Sequence, residues 1–269
     1  MKRFFLLFSL LSQLSYAQVN DSQQISMFTY GGLPAPELGH APVKVLMNWS
    51  YVTGYNEQKK NPAWVAYRLG NMKGEYDFKN WERPDRFIAD RRLGSQIDHE
   101  AYTSSGYDRG HMAPNATMLS QYGQMAQMET YLTTNICPQK PQLNQKLWAA
   151  LEKLEREVIS QDDTKGKEVH DLFVITGPVF SAKPDTLSSG IAIPDSFFKI
   201  LAFRRGYLGT VKAVCFLIPQ QPATNNLSDY LTTIDKIESL THLDFFPELS
   251  ETRQRNLESV KRDLQLNDL

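Results

Sequence analysis

Between Leu143 and Val158 the apolar residues Leu143, Leu147, Leu151, Leu154 and Val158 recur at helical spacing, just behind the helix-start punctuator Pro141. This run predicts one long amphipathic helix, from Leu143 to about Ser160. Around it stand short, β-rich apolar runs bounded by Gly and Pro: Val43–Met47, Trp64–Leu69, Asp171–Thr176, Ser196–Phe203 and Lys212–Ile218. A central helix among scattered strands predicts an α+β domain around a mostly antiparallel sheet. The polar Tyr55–Asn61 stretch reads as the turn of a hairpin between the first two runs. Further helices are expected at Leu119–Met128, Thr233–Leu240 and Glu248–Leu264.

The helix carries chemistry on its polar side. Asn144 falls in its first turn, and Glu152 follows two turns on, rotated by roughly 80°. Both are oxygen donors, as is Asn135 upstream, and oxygen suits a hard cation such as Mg²⁺, which keeps several waters and needs few protein ligands. Bland readings stand beside these. Asn144 could be a helix cap, Glu152 a solvated face among Lys153, Glu155, Arg156 and Glu157, and Asn135 a group that satisfies backbone at a turn. Trp148 and its leucine neighbours read as core.

About 30 residues before the helix, Asp108-Arg109-Gly110-His111 packs an acid, a guanidinium, a free-turning glycine and an imidazole together. His titrates near neutral pH and can take a proton from water, and Arg matches phosphate oxygens with a planar fork. His40, His99, His170 and His242 lack such surroundings. No zinc-type spacing occurs, and Cys137 and Cys215 form no CxxC pair, which disfavours a zinc hydrolase.

The order Asp108-Arg109-Gly110-His111, Asn135-Ile136-Cys137-Pro138-Gln139, then Leu143-Asn144-Gln145 with Trp148, Leu151 and Glu152 resembles the DNA/RNA non-specific endonuclease family. Trp64–Tyr67, Arg83 ahead of Phe87 and Asp90, Thr176–Phe180, Ile193-Pro194, Phe198-Lys199 and Thr241 through Pro247 extend the resemblance over roughly residues 45–250. His242 departs from it, standing where the family commonly has Gly.

The resemblance implies a ββα-metal fold and an endonuclease that hydrolyses DNA and RNA, leaving 5′-phosphate and 3′-hydroxyl ends. It implies His111 as general base and one Mg²⁺ (Mn²⁺ as the substitute) on Asn144, with Glu152 holding a metal-bound water. Asn135 is read as a substrate-side group. Arg83 matches the phosphate arginine, with Arg86 and Arg68 as rivals, and Arg109 is divided between phosphate orientation and a structural role. Other readings use the same residues: a non-catalytic nucleic-acid-binding protein retaining the fold, a nucleotide phosphodiesterase, or an antibacterial effector with a cognate inhibitor protein.

Composition adds bounds. A formal charge of −1 argues against tight non-specific clamping of nucleic acid, though a neutral body can carry a local basic cleft. Residues 1–17 read as a secretory signal peptide: Met-Lys-Arg, a short apolar core, and Ala17 before Gln18. A secreted or periplasmic protein without a membrane span is expected. Residues 18–42 read as an irregular lead-in, and 43–269 as a single nuclease domain. Cys137 and Cys215 are either bridged or two buried free thiols.

Overall fold

The computed structural model describes residues 25–70, 82–94, 97–159, 169–205 and 210–262. The proposed signal peptide, the Asp162–Val169 loop up to residue 168 and the end of the expected C-terminal helix lie outside them.

A seven-stranded antiparallel sheet forms the middle layer, in the order β10-β9-β8-β7-β4-β3-β2. Its strands are β2 (Lys44–Met47), β3 (Val52–Asn56), β4 (Asn61–Gly70), β7 (Val169–Val179), β8 (Ser196–Arg205), β9 (Val211–Pro219) and β10 (Leu231–Thr232). The central strands read as continuous apolar runs because both faces are covered. On β8, Phe197, Leu201 and Phe203 enter one core, whereas Phe198, Ile200 and Ala202 enter the other. β4 divides in the same way, Val65, Tyr67 and Leu69 against Trp64 and Ala66. This is the period-2 alternation of a strand with apolar layers on both sides.

The first core is closed by the helix that the sequence predicts. It runs as a π turn, Leu143–Trp148, into α3 (Ala149–Ile159), and its five spaced apolar residues are all buried. The second core is closed by α4 (Ile234–Thr241) and α5 (Glu251–Glu258), through Ile234, Ile237 and Leu257. Two short helices, α1 (Asn115–Tyr122) and α2 (Gln124–Thr130), replace the single expected Leu119–Met128 helix. Gly123, at φ 86°, breaks the chain between them.

The expected hairpin is also corrected. Val43–Met47 does not pair with Trp64–Leu69, because β3 lies between them and the turn is shorter, joining Asn56 to Asn61. β3 escapes the sequence pattern through Gly54. The Trp64 indole lies against that glycine, and a Cβ there would sit 2.2 Å from Trp64 Cε2. The lead-in is partly structured: Phe28 is buried, and β1 (Ala35–Pro36) pairs with β11 (Leu243–Asp244). His242 caps α4 in the left-handed region at φ 56°, which explains why glycine suits that position. Cys137 and Cys215 are free and buried.

Candidate active site

Beneath the first core, β5 (Asp108–His111) pairs antiparallel with β6 (Ile136–Gln139), and the Leu143–Ile159 helix follows directly. Gly110 sits opposite Cys137 in this ribbon. Any Cβ on it would meet the Gln139 side chain at 2.0 Å, so the close approach requires glycine. Two bonds clamp the helix to the ribbon. Trp148 Nε1 donates to the His111 carbonyl at 3.2 Å, and Asn144 Nδ2 donates to Asp108 Oδ2 at 2.9 Å. Gln145 donates to the same carboxylate oxygen at 2.8 Å.

His111 is 8% exposed, packed against the rings of Phe87 at 5.3 Å and Tyr131 at 5.2 Å. Its Nε2 is buried without a hydrogen-bond partner among the described residues. Burial first, and then the charge of Arg83, push its pKa down to about 3, so the ring is neutral at physiological pH. Glu152, partly buried, moves the other way. Burial is the main cause and Glu155 adds to it, against the lowering fields of Lys199, Arg156 and Arg83, and the carboxyl is raised to about 7.

Arg83 is the arginine whose field reaches both groups. Its Nε donates to the Tyr131 hydroxyl. The loop that carries it is fixed by Ile88 N donating to Tyr131 O, and Thr133 N to Ile88 O, each at 2.9 Å. Its rivals are engaged elsewhere: Arg86 pairs with Glu100, and Arg68 pairs with Asp171 on the sheet.

Two expected site residues are held by hydrogen bonds within the protein. Among the described residues Arg109 forms no ion pair with Asp108. Its guanidinium donates to the His99 carbonyl at 2.6 and 3.2 Å and to Thr103 Oγ1 at 3.1 Å, holding the 99–103 turn. Asn135 is fully buried, and its amide bonds the Ala113 N–H and carbonyl at 2.8 and 3.0 Å and the Thr130 carbonyl at 3.0 Å. It pins the chain just after His111. Conversely, Asp108 matters more than its place in the motif suggested, because it orients the Asn144 amide. Tyr131, which seats both Arg83 and His111, carries no motif that would have flagged it.

The DNA/RNA non-specific endonuclease model matches residues 39–252 of this sequence. The chain belongs to that family. A nuclease of Nostoc sp. (strain PCC 7120) is 32% identical over 88% of this chain and 87% of its own length. Mitochondrial endonuclease G of Homo sapiens is 28% identical over 74% of this chain and 68% of its own. Among solved structures, the EndoG/EndoGI complex superposes with a TM-score of 0.71 at 22% identity, covering 86% of this chain and 93% of that one, so the fold is shared. As a family member the chain is an enzyme, a nuclease that hydrolyses nucleic acid.

The family implies a divalent metal cofactor, and the donor set here fits one. Asn144 commits its Nδ2 to Asp108, which leaves Oδ1 without a donor among the described residues. The Glu152 carboxylate likewise takes no hydrogen bond from them. Oxygen donors of this kind suit a hard cation.

Proposed function

We propose that this chain is an exported endonuclease that cuts DNA and RNA without sequence preference, with one Mg²⁺ (or Mn²⁺) at Asn144. The observation that carries the reading is the neutral, unpartnered imidazole of His111 held beside Arg83, on the strand that also orients Asn144. A general base must be unprotonated before it acts, and burial with a neighbouring guanidinium keeps His111 so. Its Nε2 is closed off, so Nδ1 is the nitrogen that takes the proton from the attacking water. A phosphodiester beside the ring brings negative charge that favours the imidazolium, raising the basicity of His111 when substrate is in place.

Arg83 opposes the charge that develops on the scissile phosphate. Asn144 Oδ1, with Glu152 acting through water, would hold the cation. When bound, that ion supplies positive charge for the phosphate and the departing 3′ oxygen. Residues 1–17 are proposed to direct export, and an inhibitor protein is the proposed partner class, on the precedent of the EndoG/EndoGI complex.

Purified protein should cut plasmid and RNA with Mg²⁺ and not with EDTA; absence of cutting under both conditions refutes the reading. His111→Ala should lower kcat by about 10²–10⁴-fold with an unchanged Mg²⁺ midpoint. Asn144→Ala should instead raise the midpoint, so that activity recovers in part at high Mg²⁺. The opposite pattern would mean that base and ligand are exchanged.

A further inference from the structure

On the far side of the sheet stands a group of carboxylates that the nuclease reaction does not use. Asp235 and Glu238 lie on successive turns of α4, and Glu258 ends α5. One carboxylate oxygen from each lies within 4.8 Å of the others. Glu258 is 8% exposed, and its Oε1 is buried with no hydrogen-bond donor among the described residues. Glu238 Oε1 accepts from Phe245 N at 2.8 Å. No Lys or Arg forms an ion pair with any of the three among the described residues.

The surroundings make this arrangement costly without a cation. A buried carboxylate lacking a partner pays desolvation with nothing to offset it. Burial raises Glu258 to about 8, and Glu238, Asp235 and Asp244 add to the rise. Burial likewise raises Glu238 to about 7, with Asp244, Asp235 and Glu37 adding and the Phe245 N–H opposing. Among the described residues, the charges that act on Glu258, those of Glu238, Asp235 and Asp244, are all negative.

We propose that Asp235, Glu238 and Glu258 form a Ca²⁺ site that ties α5 to α4. Three carboxyl oxygens, losing their protons as the cation binds, suit a hard divalent ion. Their spread over two helices favours Ca²⁺, which accepts irregular oxygen sets at about 2.3–2.6 Å, over Mg²⁺, which demands a tighter octahedron. Glu258 falls beyond residue 252, where the match to the family ends, whereas Asp235 and Glu238 fall inside it. The sheet separates the site from His111, since Ile234, Ile237 and Leu257 enter one core whereas Met112 and Trp148 enter the other.

The test is thermal unfolding of the full-length mature protein with Ca²⁺ or with EDTA, for wild type, Asp235→Asn, Glu258→Gln and Asn144→Ala. At about 100 times the dissociation constant, Ca²⁺ should raise the wild-type Tm by about 5–10 °C. Asn144→Ala should keep that shift, which separates this site from the active site whatever becomes of the nuclease reading. Both carboxylate variants should lose it. Glu258→Gln relieves repulsion, so it should fold and melt in EDTA no lower than wild type. A wild type indifferent to Ca²⁺, a shift that survives in both carboxylate variants, or a larger shift with equal Mg²⁺ would overturn the assignment.

Discussion

Arg83 donates to the Tyr131 hydroxyl, and its charge lowers the pKa of both His111 and Glu152. Arg86, three residues on, has an exposed glutamate for company instead. Arg83→Ala should therefore reduce kcat/KM by about 10²-fold, the usual worth of one well-placed donor to a developing oxyanion. Arg86→Ala should stay within about threefold of wild type, as loss of an exposed ion pair implies. The pH profile gives a second readout. Removing Arg83 raises the His111 pKa, so the acid limb of the kcat/KM profile should move to higher pH. Equal losses in the two variants would remove Arg83 from the phosphate role. Sequence pointed to His111 and Asn144 through their motifs. It could not place Arg109 or Asn135, because most of their partners are backbone groups of His99, Ala113 and Thr130, which leave no mark on a sequence.

The helix from Leu143 to Ile159 was legible because its apolar spacing survives the π turn at its start. β3 was not, because Gly54 and the turn-like residues around it serve the packing of a Trp on the next strand. Nor was the polar link under the helix. Glu155, which the sequence presents as one charge among several on α3, is fully buried against Lys199 of β8 and accepts from the Tyr67 hydroxyl at 2.7 Å. Lys199 Nζ also lies 4.8 Å from the Trp148 ring, so this network fixes the helix that carries Asn144 and Glu152. Lys199→Met leaves Glu155 buried without its cation and should cost about 3–5 kcal/mol. Adding Glu155→Leu should recover most of that loss, since an apolar pair of similar volume removes the uncompensated charge. Urea unfolding of the two variants measures it, and a double variant as unstable as the single one would contradict the account.

At the scale of the molecule, the sheet divides two layers with different electrostatic tasks: the active site over one face and the Asp235, Glu238 and Glu258 group over the other. The first was proposed from sequence because its candidate ligands Asn144 and Glu152 sit within one continuous stretch. The second arises only when α5 folds back on α4, a meeting of residues that no local pattern announces. It should nevertheless govern how stability responds to alkali. Unfolded glutamates titrate near 4.3, whereas folded Glu238 and Glu258 titrate near 7 and 8. Between those limits the folded state holds more protons from these groups, so their contribution to stability falls as pH rises from about 5 to about 8, and then levels. Other groups titrate in the same range, His111 and Glu152 among them, so the signal is the difference between Glu258→Gln and wild type. In EDTA that variant should gain stability relative to wild type as pH climbs through this window. With Ca²⁺ the gain should vanish or reverse, because the cation offsets the charge that alkali exposes. Urea unfolding at pH 5, 6.5, 8 and 9 decides the point. A pH-independent difference would mean that Glu258 does not carry the buried charge assigned to it.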